Sequence, residues 1–208
     1  MKTILVATGN PGKLVEISAM LDIPAQWLTL KDFPQVQEVE EDGLTFEENA
    51  RKKALGYAAQ TGLWTLADDS GLAVDALDGA PGVISARFCG ASSSTTDRKT
   101  IDRLNYEKVL DLLRKKTGIP RTARFVCCLC LAAPREILLE TRGQCEGLIL
   151  DAPRGDNGFG YDPVFFVPRM NRTISEMTTQ EKNTISHRGN ALDKLKPLLT
   201  DLFLRCPD

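Results

Sequence analysis

The opening stretch Thr3-Ile-Leu-Val-Ala-Thr-Gly-Asn-Pro-Gly-Lys-Leu14 constrains the fold more than any other part of the chain. Ile4 to Ala7 is an apolar run that reads as a buried strand. Asn10 followed by Pro11 is a helix start, with a capping side chain and a proline at the first helical position. The chain therefore runs strand, glycine turn, helix. Such a helix N-terminus offers free N–H groups and partial positive charge to an anion, and Lys13 adds a full charge one turn in. A triphosphate suits that place. The loop is not a Walker A motif: two residues separate Gly9 from Gly12-Lys13 where that motif needs four, and Leu14 stands where it needs Ser or Thr.

The rest of the chain extends this α/β pattern. After a first helix over Gly12–Leu21 come a short strand near Trp27–Leu30 and a helix over Phe46–Thr61, capped by Thr45 and Glu48. A strand at Leu63–Ala67 and an extended piece at Leu72–Ala76 lead to a glycine- and proline-rich turn at Asp78–Gly82. Residues 91–96 are small and polar, hence a loop, and Asp97 caps a helix to about Lys116. Arg124–Ala133 and Glu136–Glu146 read as a hairpin through Pro134 and Arg135, followed by a strand at Val164–Val167 and a last helix over Asn190–Leu199. The expectation is one domain over residues 1–208: a mixed twisted β-sheet flanked by helices, with two lobes around a central cleft.

Composition excludes several classes. Lys plus Arg number 26 against 28 Asp plus Glu, a formal charge of -2 at pH 7, so the chain lacks the broad basic face of a nucleic-acid binder. Its longest apolar stretch, Phe125 to Ala133, is far below the roughly 18 residues of a membrane helix. Met1-Lys2 passes straight into a strand with no signal-peptide pattern, and the expected location is the cytoplasm. Of the six cysteines, Cys127, Cys128 and Cys130 lie in an apolar strand whose alternation sends Cys127 to one face and the other two to the opposite one. That is no chelating arrangement, so they read as small core residues, and Cys89, Cys145 and Cys206 read as free thiols.

Two further clusters carry chemistry. Asp68-Asp69-Ser70 follows the strand Leu63–Ala67, and Glu40-Glu41-Asp42 precedes the helix at Phe46. Adjacent strand residues point to opposite faces, so only one of Asp68 and Asp69 projects into a given site. Hard oxygen ligands beside phosphates suit Mg²⁺, although Glu40 to Asp42 read equally well as a solvated acidic turn. The second cluster is Gly158-Phe-Gly-Tyr-Asp-Pro163 with Ser186-His-Arg-Gly189, which together offer an aromatic face for stacking and polar groups for a base edge. Lys53 stands one turn after Asn49, where it either reaches phosphate or lies on a solvated helix face.

The chain resembles the inosine triphosphate pyrophosphatase family in six stretches in register: Thr8–Lys13, Gly43–Ala50, Ala67–Asp75, Gly79–Gly82 with Ser85–Arg87, Gly158–Pro163 and Ile185–Gly189. The resemblance implies hydrolysis of non-canonical purine triphosphates (ITP, dITP, XTP) to the monophosphate and pyrophosphate by a Mg²⁺-dependent homodimer. It implies Asp69 as general base. Thr8, Gly9, Asn10, Pro11, Gly12, Lys13 and Ser70 would hold the substrate. Phe159, Gly160, Tyr161, Asp162, Lys182, His187 and Arg188 would surround the base. The metal would be held by Asp69 or Asp68 with Glu40 or Glu41. Hypoxanthine and xanthine present O6 and N1–H, so Arg188 or His187 would donate to O6 and Asp162 or a backbone carbonyl would accept from N1–H. Adenine would mismatch these groups, at about 1–3 kcal/mol each. A Maf-like nucleotide pyrophosphatase and a non-catalytic nucleotide sensor are the alternatives; a substrate panel separates them.

Overall fold

The computed structural model describes residues 2–91 and 96–205. Most of the loop expected at 91–96, and the Cys206 thiol, lie outside the described residues. The strands are β1 (Thr3–Ala7), β2 (Gln26–Thr29), β3 (Trp64–Val74), β4 (Thr122–Ala133), β5 (Glu136–Ile149), β6 (Phe165–Val167) and β7 (Arg172–Thr173). They form one mixed sheet in the order β2-β1-β3-β4-β5-β6-β7, with β1 parallel to β2 and β3, and β6 antiparallel to β5 and β7. The helices are α1 (Pro11–Met20), α2 (Phe46–Thr61), α3 (Arg98–Arg114), α4 (Thr179–Ile185) and α5 (His187–Arg205). No described helix is long and apolar enough to cross a membrane.

Two compact units emerge, one from Met1–Asp69, Cys127–Gly143 and His187–Asp208, the other from Ser70–Val126 and Gln144–Ser186. Each has its own core. In the first unit Ile4, Val6, Leu66, Cys127, Leu129 and Leu131 pack with Ile17 and Leu21 of α1 and with Ala191, Leu192, Leu195 and Leu199 of α5. These are alternate residues of β1, β3 and β4, as one face of a pleated sheet requires. The second core gathers Leu72, Val74, Val109, Leu113, Phe125, Val164, Phe165 and Ile174.

Local signals placed the helix starts. Asn10 accepts from the Gly12 N–H at 2.9 Å with Pro11 behind it, Thr45 and Glu48 form a capping box, and Asp97 accepts from Thr100 N–H at 3.0 Å. Gly62, at φ +73°, ends α2 in the left-handed conformation that glycine adopts without strain.

Three expectations change. The strand thought to end at Ala67 continues unbroken through Asp68, Asp69 and Ser70 to Val74. Aspartate disfavours strands by local propensity, but here tertiary ion pairs hold both side chains. The last helix begins at His187 rather than Asn190, because Gly143 of β5 lets its first turn lie directly on the strand; a Cβ there would sit 2.2 Å from the His187 carbonyl oxygen. The same helix passes through the exposed Pro197 to Arg205. Finally, α4 and β7 were not foreseen.

Candidate active site

In the first unit, the sequence folds the phosphate-loop candidate as a capped turn. The Asn10 N–H donates to Thr8 Oγ1 at 3.2 Å while Asn10 Oδ1 caps Gly12, so Thr8 to Gly12 form a closed pair of local hydrogen bonds at the head of α1. Gly9 and Pro11 are exposed. Lys13 follows, and its Nζ pairs with Asp68 Oδ1.

Alternation along β3 sends its two aspartates to different partners. Asp68 lies on the α1/α5 face. Its Oδ2 accepts from Arg188 Nε at 3.1 Å, Arg188 Nη2 at 3.0 Å and the Cys127 thiol at 3.3 Å. Burial alone would raise the Asp68 carboxyl, but the Arg188 guanidinium and Lys13 ammonium outweigh it and hold the group well below the usual carboxylate range. Arg188 also donates through Nη1 to the buried Glu16 of α1. Cys127, buried and hydrogen-bonded to that anion, has its thiol raised and remains protonated.

Asp69 lies on the α2 face. Its Oδ2 accepts from Asn49 Nδ2 at 3.3 Å, and its Oδ1 stands 3.3 Å from Lys53 Nζ. The same ammonium reaches Glu41 Oε2 at 3.0 Å and the Asp68 carbonyl at 2.7 Å. Burial pushes the Asp69 carboxyl up to about 6; Lys53 and Lys13 pull it down, while Glu41 and Asp68 push it further up. For Lys53, burial favours the neutral amine, but Asp69, Glu41 and Asp68 win and its pKa is raised. The result is a locked anion, Asp68, next to a carboxyl that burial pushes up to about 6.

The metal candidates separate on this geometry. Asp68 does not fit a metal ligand, since cations already hold both its oxygens. Glu40 is exposed, and its charge acts on Lys52. Glu41 and Asp69 do fit: two hard carboxylates share one cation, the Lys53 ammonium. Among the described residues no group of three or more His, Cys, Asp or Glu is placed to hold a metal ion. Two carboxylates suit Mg²⁺, which takes its remaining oxygens from water and substrate phosphate.

The Arg188 side chain is 1% exposed, and its guanidinium pairs with Asp68 and Glu16 on the α1/α5 face. His187 is buried at the head of α5.

In the second unit, Ser70 is half-buried on β3, and the turn Gly158–Asp162 is held from several sides. Asp162 Oδ2 accepts from Phe159 N–H at 2.9 Å and from Lys182 Nζ at 2.7 Å, and that ammonium also lies 4.4 Å from the Phe159 ring centroid. Gly158, at φ +80°, is obligatory, because a Cβ would meet Asp162 Oδ2 at 2.1 Å. Tyr161 donates to the Ser85 carbonyl at 2.8 Å, so its hydroxyl serves the scaffold, and burial raises its pKa. Gly160 N–H donates to Asp102 of α3 at 2.9 Å. The ring of Phe159 remains half-buried and Asp162 is buried. Glu16 and Asp102 did not stand out in the sequence, and Asn49 and Cys127 were not read as partners of the two aspartates; only the long-range contact gives each its role.

The candidate site thus consists of a capped turn ahead of α1, a buried aspartate with its lysine, and a glycine-pinned aromatic turn. The Ham1 family model matches residues 4–198. The chain belongs to the Ham1 family. A Geobacter sulfurreducens relative named dITP/XTP pyrophosphatase is 51% identical over 197 residues, covering 94% of this chain and 96% of its own. One of the same name from Synechocystis is 49% identical, covering 94% of each chain. A HAM1 protein structure from Coxiella burnetii has a TM-score of 0.85 at 42% identity, covering 97% of this chain and all of its own. The Staphylococcus aureus Ham1 protein gives 0.83 at 36% identity with the same coverage. The family resemblance and the mixed α/β fold expected from the motifs both hold.

Proposed function

We propose that this Ham1 protein is a nucleoside-triphosphate pyrophosphatase that hydrolyses non-canonical purine nucleotides, dITP, ITP and XTP, to the monophosphate and pyrophosphate. The observation that carries the reading is Asp69, a buried carboxyl pushed up to about 6 with Asn49 and Lys53 on its two oxygens. A group with that pKa is ionised at neutral pH yet basic enough to take a proton from water. Its relatives' names, dITP/XTP pyrophosphatase at 51% and 49% identity, supply the substrate class.

In this reading, the Thr8–Lys13 loop and the head of α1 bind the phosphate chain, with Lys13 neutralising charge that grows as the anhydride breaks. Asn49 orients Asp69, which accepts the proton of the attacking water. Phe159 stacks on the purine, and Lys182 fixes both Phe159 and Asp162. Asp162 or a backbone carbonyl accepts from N1–H, and His187 is the remaining candidate donor for O6. Glu41 and Asp69 are the residues that would hold Mg²⁺, which when bound offsets charge on the phosphate oxygens. Lys53, shared between those carboxylates, would turn to phosphate once they are otherwise neutralised. The active species is a homodimer in the cytoplasm.

The test is pyrophosphate release from dITP, ITP, XTP, GTP, ATP, dTTP and UTP, with and without Mg²⁺, alongside sedimentation of the enzyme. Turnover confined to dITP, ITP and XTP and dependent on the metal is expected. Preferential cleavage of dTTP or UTP, or binding of ITP without turnover, refutes the reading.

A further inference from the structure

Two consecutive peptide N–H groups of the aromatic turn point at buried carboxylates. Phe159 N–H donates to Asp162 Oδ2 and Gly160 N–H to Asp102 Oδ2, both at 2.9 Å. Each carboxylate has its own cation: Lys182 Nζ lies 2.7 Å from Asp162, and Arg98 Nε lies 3.0 Å from Asp102 Oδ1. The two contacts do different work. Asp162 is three residues from Phe159, so its hydrogen bond fixes the internal shape of the turn and says nothing about where the turn sits. Asp102 is 58 residues away from Gly160, on α3, and only 7% exposed. Its hydrogen bond ties the turn to a 17-residue helix whose Ile101, Val109, Leu110 and Leu113 are buried. The tether falls on the residue next to the stacking ring, at Gly160.

We propose that Asp102 is a positioning residue: through the Gly160 N–H it sets the location of the Phe159 ring, and so governs affinity for the purine base without touching the nucleotide. The proposal rests on the reading of Phe159 as the base-stacking residue. Arg98 supports it from the helix's first turn by holding Asp102 Oδ1, which leaves Oδ2 directed at the turn. Loss of the tether leaves the Asp162–Lys182 pair and the Tyr161–Ser85 hydrogen bond in place but frees the Phe159–Gly160 end of the turn. The base then loses its pre-placed platform, while the phosphate loop, which lies in the other unit, keeps its geometry.

The experiment compares Asp102→Ala and Asp102→Asn with the parent enzyme. The asparagine variant keeps an oxygen that accepts from Gly160 N–H but gives up the charge shared with Arg98. Hydrogen exchange at the Gly160 amide is followed with no ligand present, and calorimetry measures binding of ITP and of inorganic tripolyphosphate, which has no base. Asp102→Ala should speed Gly160 exchange, weaken ITP by roughly tenfold, the equivalent of one ordinary hydrogen bond, and leave tripolyphosphate within about twofold. In turnover the loss appears in KM far more than in kcat, and Asp102→Asn recovers most of it. Unchanged Gly160 exchange in the alanine variant, or equal weakening of ITP and tripolyphosphate, overturns the proposal. Should the parent enzyme bind ITP but release no pyrophosphate, the functional reading fails, and the exchange and binding measurements still decide the role of Asp102.

Discussion

Replacing Arg188 with methionine separates a scaffold role from a base-reading one. The side chain is 1% exposed and gives three hydrogen bonds to two buried carboxylates: Nε and Nη2 to Asp68, Nη1 to Glu16. Methionine fills much of the volume, so the loss is electrostatic. Asp68 retains Lys13 and the Cys127 thiol, while Glu16 loses the guanidinium that faces it. Breaking a buried ion pair from one side costs about 3–5 kcal/mol, and the lower half of that range fits here because Asp68 stays compensated. Urea unfolding at pH 7 measures the loss. Adding Glu16→Gln removes the second buried charge, so the double variant should be more stable than the sum of the two singles. Per folded molecule, the ratio of XTP to ATP turnover should stay as in the parent. Stability within about 1 kcal/mol of the parent, together with a tenfold fall in that ratio, would refute the scaffold assignment and return Arg188 to the base edge.

The remaining predictions concern the groups around Asp69 and the ligand. In metal-free protein the Asp69 carboxyl, followed by carbon NMR, should titrate near pH 6, with the proton on below and off above. Lys53→Met removes the strongest influence pulling that value down, so the titration should move to higher pH, and with it the acid limb of kcat; a shift to lower pH would contradict the assigned field. Lys13→Ala should raise KM for triphosphate and also lower kcat, because phosphate charge grows during cleavage; an unchanged kcat/KM would place the phosphates elsewhere. Phe159→Ala should weaken XTP, ITP, GTP and ATP by a common factor, on the order of five- to a hundredfold, since stacking is indifferent to the base edge; a loss specific to one base would show that the ring does more than stack.

What could be read from the sequence was what is local. The caps at Asn10, Thr45 and Asp97 and the hairpin turn at Pro134-Arg135 each depend on residues within a few positions, and all are present. Helix α4 carries the same kind of signal, Thr178 with Glu181 at capping-box spacing, but its seven residues are too few for an apolar period to show. The unbroken course of β3 was not legible. Two adjacent aspartates mark a strand end by propensity, and what overrides that is a lysine on α1, a lysine on α2 and an arginine on α5. The site shows the same division. Lys13, Asp69, Phe159 and Asp162 stood out through their local motifs. The roles of Glu16 and Arg188 did not, because 172 residues separate the two, and a buried pair of that span leaves no periodicity to find.

The two aspartates of β3 offer the sharpest contrast, because one residue of strand alternation gives them opposite thermodynamics. Asp68 is held below the carboxylate range, so its ionised form stabilises the fold: the contribution is complete above the unfolded value near 4 and is lost as pH falls below it. Asp69 is pushed up to about 6, so its ionised form opposes the fold: the folded protein holds the proton more tightly than the unfolded chain, and stability from this group declines as pH rises from about 4 to about 6. Asparagine at each position should therefore act with opposite sign. Asp68→Asn leaves Lys13 and Arg188 facing each other without their shared anion, and should cost about 3–5 kcal/mol at pH 7, shrinking toward pH 3. Asp69→Asn cannot ionise, keeps Lys53 on Glu41 and the Asp68 carbonyl, and should be neutral or stabilising by up to about 3 kcal/mol at pH 7, with the difference vanishing near pH 4. The same substitution should abolish turnover while ITP still binds. Urea unfolding of both variants from pH 3 to 8 reads the two slopes directly. If Asp69→Asn destabilises as much as Asp68→Asn at pH 7, Asp69 is a structural anion like its neighbour, and the general base lies elsewhere.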